Sequence, residues 1–376
     1  MLFFRLAVLL LLFSCNGTVK KESNLDLEKT ETLKNFFAGN FIIQKKDDLT
    51  ILTIKEAWKG CTENFKYVLY PKNKKAPTGF GNAKLIPVPL EKVICTGTTQ
   101  VAMMNLLELN DRITGLADAK YIFNSDINQK ISSGKIAEIG NDNAINYEKA
   151  IKLNPELVFT YSFGRSASQK KFEELGLPTV MISEFMEESP LGRAEWMVFM
   201  ACFFGKEEAA IKKFEEIAEN YKKLTAQIPS QKVKPTVMTG VAQEGIWYQA
   251  GGKSFMAKFI EDAGGQYLWS DNQESGGIPL SFETVLQKAG NADYWLNVVL
   301  AKNKKGILDI DRRYQSFKAF QKGNIYSYTA RISANGGYDF YESAIVRPDL
   351  VLADLIQIFY PKALTDNSLY YYQKID

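Results

Sequence analysis

Residues 190–228, PLGRAEWMVFMACFFGKEEAAIKKFEEIAENYKKLTAQI, constrain this chain more than any other stretch. Between Gly192 and Pro229 there is no proline and one glycine, Gly205, and the strong helix formers Ala, Glu, Lys and Leu are abundant. Apolar residues recur every three or four positions: Trp196, Phe199, Met200 and Phe203, then Phe214, Ile217, Ala218, Tyr221 and Leu224. Lys and Glu fill the opposite face. A continuous helix of about 35 residues spans roughly 50 Å, more than the width of one compact domain. Gly205 is the position where it can bend. Strand and helix patterns flank the stretch on both sides, so it reads as a strut between two lobes. The alternative is a long surface helix on a single domain.

The 376 residues exceed one ordinary core and call for two domains. The expected division is 1–14 signal peptide, 15–39 lipidated tether and 40–189 first lobe, with an added β segment at 40–70. The strut follows at 190–228, then a second lobe at 229–376. In the β segment, runs at 41–43, 49–54 and 67–70 are strand-like. Beyond it, short apolar strands at 93–95, 113–116, 157–160 and 178–182 alternate with helices at 101–109, 147–153 and 170–175. The same alternation resumes after the strut, with strands at 236–239, 247–248, 294–299 and 325–326 and helices at 254–263, 282–289, 317–321 and 348–359. The fold class is α/β: two lobes, each a mostly parallel sheet covered by helices, bridged by one long α-helix.

One unit occurs twice. Asn146-Tyr147-Glu148 opens a helix with Ile151 and Leu153 on its apolar side, then comes a turn at Asn154-Pro155-Glu156 and a strand at Leu157-Val158-Phe159. Ser281-Phe282-Glu283 opens another with Val285 and Leu286, then a turn at 290–293 and a strand at Tyr294-Trp295-Leu296. Each begins with a capping residue, an aromatic and a Glu.

The first fifteen residues, MLFFRLAVLLLLFSC, hold one charge (Arg5) and an apolar run too short to span a bilayer stably, and read as a secretory signal. Leu12-Phe13-Ser14-Cys15 resembles a bacterial lipobox, which makes Cys15 the lipidated residue of a periplasmic, membrane-anchored lipoprotein. A cleaved signal without lipid is the alternative. Cys61, Cys95 and Cys202 remain, an odd number, so at least one is unpaired. A Cys61–Cys95 disulfide stays open.

Histidine is absent, which removes Ser-His-Asp and Cys-His catalysis and His-ligated haem or zinc. A net charge of +3 gives no polyanion-binding signature, so no nucleic-acid partner is expected. G-x-S-x-G, P-loop and G-x-G-x-x-G patterns are missing, and the expectation is a non-enzyme with no resident cofactor or metal. An exported hydrolase using carboxylates such as Asp262, Asp271, Glu274 or Asp339 is the rival reading, and none of these shows diagnostic spacing.

Four features together resemble the substrate-binding lipoproteins of ABC importers for cobalamin, ferric siderophores and haem. Residues 89–94, PLEKVI, are similar to that family's opening strand. The stretch from Asn146 to Val158 resembles its E-x-I-x-x-L-x-P-D-L-V segment, with Glu156 in place of the Asp. The single interdomain helix matches, and Asp262-Ala263-Gly264-Gly265 followed by Leu280-Ser281-Phe282-Glu283 resembles its second-lobe signature. Residues 190–196, PLGRAEW, resemble a subgroup common in Bacteroidetes. The resemblance implies a monomer of two lobes that holds a metal chelate in the cleft and delivers it to an ABC permease. It also implies that one surface Glu per lobe, Glu148 and Glu283, docks on permease arginines.

Open α/β sheets bind ligands at the carboxyl ends of their strands. From the first lobe this selects Thr98, Thr99, Tyr121, Tyr161, Ser162 and Arg165. From the second it selects Trp247, Tyr248, Gly252, Ser254, Arg331 and Tyr338. Aromatics offer flat contact to a macrocycle or catecholate, and Arg165 and Arg331 suit carboxylate or phosphate. Haem would need a Tyr ligand, for which Tyr121, Tyr248 and Tyr338 are candidates. Ferric siderophore or cobalamin fits better. A sensor or surface receptor on the same fold is the remaining alternative.

Overall fold

The computed structural model describes residues 31–376, apart from 34, 142, 162–163, 165–166, 231, 300 and 366–367. The signal, Cys15, Ser162 and Arg165 therefore lie outside the described residues. No described helix is long and apolar enough to cross a membrane.

The first lobe is built on five strands ordered Thr179–Met181, Leu157–Thr160, Val93–Cys95, Ile113–Leu116 and Ala137–Glu138, with every neighbouring pair parallel. In the second lobe Gln266–Tyr267, Thr236–Thr239, Tyr294–Leu296 and Ile325–Ser327 are parallel neighbours, and Gln373–Lys374 closes the edge antiparallel. Central strands are buried on both faces, as the unbroken apolar run Val93-Ile94-Cys95 requires.

The repeated unit folds the same way twice. Asn146 and Ser281 cap their helices by accepting from the Lys149 and Thr284 amides at 2.9 and 3.1 Å. The acidic residue before each strand then reaches the neighbouring strand. Glu156 Oε2 accepts from the amides of Glu91 and Lys92, just ahead of Val93–Cys95. Asp293 Oδ2 accepts from the Thr236 amide at 2.9 Å, where Thr236–Thr239 begins. Each carboxylate thus sets the start of the adjacent parallel strand. A Glu does in the first lobe what an Asp does in the second.

The strut is two helices. Pro190–Ala201 is capped by Ser189 and buried at every residue, a helix buried all round that runs through the protein's interior. A three-ten turn, Cys202–Phe204, ends at Gly205 with φ 63°, a left-handed conformation that glycine adopts without a Cβ clash. Glu207–Thr225 then forms a separate amphipathic helix with Ala210, Phe214, Ile217 and Tyr221 inward. Its start is tied to the N-terminal sheet by Lys45–Glu207 at 2.5 Å, and its end to the second lobe by Tyr221 Oη donating to Asp262 at 2.9 Å. The crossing element is thus about 28 Å long, from 19 residues at ~1.5 Å each, and the expected 50 Å rod is folded back at Gly205.

An N-terminal sheet joins Glu31–Leu33, Phe41–Lys46, Leu49–Ile54 and Phe65–Pro71 antiparallel, with Lys84–Val88 added parallel to the last. Residues 31–33, within the stretch expected to be tether, form its edge. The chain after that edge is held by two carboxylates. Glu195 accepts from the Phe36, Phe37 and Ala38 amides, and Glu187 from the Gly39 and Asn40 amides and the Trp196 indole. Cys61, Cys95 and Cys202 are all free thiols, so the open Cys61–Cys95 pairing is not made. Burial raises the Cys95 and Cys202 thiols well above their ordinary pKa, which keeps them protonated and unreactive.

Candidate functional site

A cleft lies between the two lobes, in two adjoining compartments that share Phe185 and Tyr341. The first, of about 510 Å³, takes Thr96 and Gly97 from the turn after Val93–Cys95, Thr98 and Thr99 from the first turn of the helix Thr98–Leu106, and Tyr161 from the loop after Leu157–Thr160. The second, of about 670 Å³, takes Gly240 and Val241 after Thr236–Thr239, Asn297 after Tyr294–Leu296 and Tyr328 after Ile325–Ser327. These are the carboxyl ends of the parallel strands in both sheets, where strand order and loop splay leave a crevice.

The loops are rigidly placed. Gln100 folds back so that its Oε1 accepts from the Thr96 and Gly97 amides at 2.8 and 3.2 Å, which shapes the first compartment's floor. In the second lobe two buried indoles hold the loop after Thr236–Thr239. Trp247 donates to the Thr239 carbonyl at 2.9 Å and Trp295 to the Gly240 carbonyl at 2.7 Å. Tyr328 and Tyr341 are hydrogen-bonded through their hydroxyls, and Tyr328 stacks on Phe340 at 4.4 Å. Burial raises both phenols, so they stand as neutral hydroxyls.

One end of the cleft is closed by direct contact between lobes. Thr98 Oγ1 donates to the Tyr341 carbonyl at 2.8 Å. The Glu342 carboxylate accepts from the Phe123 and Asn124 amides at 2.7 and 3.1 Å. Gly337 lies so close to Tyr121 that a Cβ there would fall 2.3 Å from its carbonyl oxygen. Burial, with the Asp339 charge nearby, pushes Glu342 up to about 7 against the pull of the two amides.

Of the residues selected from sequence, Thr98, Thr99, Tyr121, Tyr161 and Tyr338 line the first compartment, and Tyr248 and Ser254 the second. Three do not face the cleft. Trp247 is fully buried, because strand Ile246–Ala250 alternates inward and outward and its neighbour Tyr248 takes the cleft side. Gly252 packs against the backbone of the 269–272 loop, where a Cβ would lie 2.3 Å from the Asn272 carbonyl oxygen, and it borders a separate hollow. Arg331 is held by Asp339 at 2.6 Å between the Phe123 and Tyr370 rings, a lobe-to-lobe packing role.

The residues that sequence reasoning passed over are Glu184, Phe185, Arg193, Phe340 and Tyr341. Arg193 was visible in the PLGRAEW stretch, where a charge within an otherwise apolar helix face is the signal. Burial pushes the Glu184 carboxyl up and the Arg193 guanidinium down, each opposed by the other's charge. The rival catalytic carboxylates are each engaged separately: Asp262 with Lys258, Asp271 with Lys288, Glu274 with Lys59 and Asp339 with Arg331.

At the lobe tips, Glu148 is exposed in the first turn of its helix and has no ion pair among the described residues. Glu283 is exposed too, but Arg313 holds it at 2.8 Å while also pairing with Asp311 and lying over the Phe282 ring.

Comparison with known proteins agrees with this architecture. The family pattern described as Periplasmic binding protein matches residues 93–332, and the chain belongs to that family. It is 26% identical over 377 residues to an uncharacterized lipoprotein of Methanocaldococcus jannaschii, covering 97% of this chain and 83% of the relative. A possible iron-binding periplasmic solute-binding protein from Staphylococcus epidermidis superposes with TM-score 0.58 at 18% identity, covering 73% of this chain and all of that one. A periplasmic heme-binding protein from Pseudomonas aeruginosa superposes with TM-score 0.59 at 15% identity, covering 76% and 98%. These two likenesses establish the fold. The family is one of periplasmic binding proteins, and the relative is described as a lipoprotein.

Proposed function

We propose that this protein is the solute-binding component of an ABC importer, capturing an iron-siderophore or cobalamin-type metal chelate between its lobes and delivering it to a membrane permease. The observation that carries the reading is the cleft at the carboxyl ends of two parallel sheets, where loops from both lobes enclose adjoining spaces of about 510 and 670 Å³. A chelate is large and rigid enough to touch both walls. Aromatic rings and hydroxyls there suit a ligand whose metal is already satisfied by its own chelator. Glu148 and Glu283 are the docking residues in this reading, and a lipid on Cys15 keeps the protein at the permease's membrane.

Titrating the soluble chain, without residues 1–15, with haemin, cyanocobalamin and ferric siderophores tests it through tryptophan fluorescence. Saturable quenching by one class supports the reading and names the cargo. Flat titrations with every ligand contradict it. A sensor on the same fold is favoured by one observation, the Arg313 clamp on Glu283, which occupies a carboxylate that a permease would need. Reversing the charge of Glu148 and Glu283 abolishes uptake for an importer and leaves a sensor's ligand affinity and output intact.

A further inference from the structure

We infer that Arg193 and Glu184 form a subsite in the first compartment for a carboxylate on the organic shell of the chelate. The inference rests on the reading of the cleft as a chelate-binding site, and it assigns that site a ligand chemistry.

Arg193 sits in the first turn of the buried helix Pro190–Ala201 and is only 7% exposed. It lies between the lobes, with its guanidinium 4.1 Å from the Phe255 ring centre on one side and Glu184 on the other. A buried guanidinium normally finds acceptors for most of its five N–H groups. Here the one ion pair is long, Nη2 to Glu184 Oε1 at 3.5 Å, and Nε has no partner. Glu184 Oε2 is equally without one. Both side chains line the first compartment, beside Thr99.

A donor fork and an acceptor, both buried and both undersatisfied, cost stability in the free protein and are satisfied together by one kind of ligand. A carboxylate supplies the acceptors Arg193 lacks. A hydroxyl or amide N–H beside that carboxylate supplies the donor for Glu184 Oε2. Glu184 also repels a bare multiply charged anion, so the subsite selects a carboxylate flanked by a donor over inorganic phosphate or sulfate.

Isothermal titration of the wild-type chain, Arg193→Met, Arg193→Lys and the neutral double variant Arg193→Met/Glu184→Gln tests this. The probes are ferric citrate and haemin, which carry carboxylates, and cyanocobalamin and ferrichrome, which carry none. The expected result is wild-type binding of a carboxylate-bearing probe, weakened about tenfold to a hundredfold by Arg193→Met and partly restored by Lys. The double variant leaves no buried charge unpaired, so its melting temperature separates lost binding from lost folding. Wild-type preference for the carboxylate-free probes, or undiminished carboxylate binding by a folded double variant, overturns the subsite and leaves the importer reading standing. Absence of saturable binding to every probe overturns both.

Discussion

The two lobes share a backbone unit and use it differently. In each, a capped helix, a short turn and an acidic residue deliver a strand into a parallel sheet, and Glu156 and Asp293 do the same job of fixing the neighbouring strand. On the cleft side the likeness ends. The first lobe offers small residues and hydroxyls, Thr96 to Thr99, at a helix start where Gln100 holds the preceding turn. The second offers a loop pinned from below by an aromatic cluster in which Trp247 meets Trp295, Tyr314 and Phe317 at 5.6 to 5.8 Å. The two units share backbone geometry where strands pair and differ in the side chains they turn to the cleft.

This contrast makes graded predictions. Trp247→Ala opens a large cavity in the second lobe and is expected to cost about 3–5 kcal/mol, whereas Thr99→Ala on the facing wall costs under ~1.5 kcal/mol. Urea unfolding measures both, and equal losses would end the distinction between a wall resting on a packed core and a wall of hydroxyls at a helix start. Glu156→Ala and Asp293→Ala are expected to destabilise by similar amounts, about 1–3 kcal/mol, because each leaves amides at a strand start without an acceptor. A large loss in only one lobe would break the equivalence of the two units.

The contact between lobes is expected to respond to pH through Glu342. Glu342 in the folded protein titrates at about 7, raised from 4.5 by burial, so the folded state binds its proton more tightly than the unfolded chain does. Its contribution is therefore fully present below about pH 4.5 and is lost as pH rises through about 7. Asp354, raised by burial to about 6 where it accepts from the Tyr370, Tyr371 and Tyr372 amides, acts in the same direction. Glu342→Gln is expected to flatten the fall in melting temperature between pH 5 and 8 by several degrees, a few kcal/mol being worth roughly that much in a chain of this size. An unchanged pH profile would place the titration elsewhere.

The smallest expected effect is at the tips. Removing Arg313 frees Glu283 and, as an exposed ion pair, changes stability by less than ~1 kcal/mol. In the importer reading Arg313→Ala strengthens docking to the permease a few-fold at low salt, whereas Glu148→Lys weakens it. Stimulation of permease ATP hydrolysis measures both. If Arg313→Ala weakens docking instead, Arg313 is part of the docking surface.

Much of this was legible in the sequence where a local rule dominates. The caps at Asn146 and Ser281, the apolar strands and the two flanking lobes follow from spacing alone. The strut was over-read, because a helix buried all round and an amphipathic helix both satisfy a three-and-four apolar spacing. Only the left-handed turn at Gly205 separates them. The N-terminal edge strand was missed because its register depends on partners from 41 onward, and Glu195 and Glu187 hold the chain after it from far along the sequence. In the cleft, Trp247 and Tyr248 cannot both face a ligand, because the strand sends adjacent residues to opposite faces. The charge of Arg331 points from sequence to a ligand anion, and Asp339 already neutralises it. Arg193 was passed over because its significance lies in the acceptors it lacks.

The central claim is that ligand binds between the lobes. Hydrogen–deuterium exchange with and without a saturating chelate from the titration series tests it most directly. The account predicts slowed exchange in residues 96–100, 184–187, 239–250 and 338–342, from both lobes together. Slowed exchange in one lobe alone, or around the outer hollow lined by Phe36, Phe37 and Phe214, would contradict it.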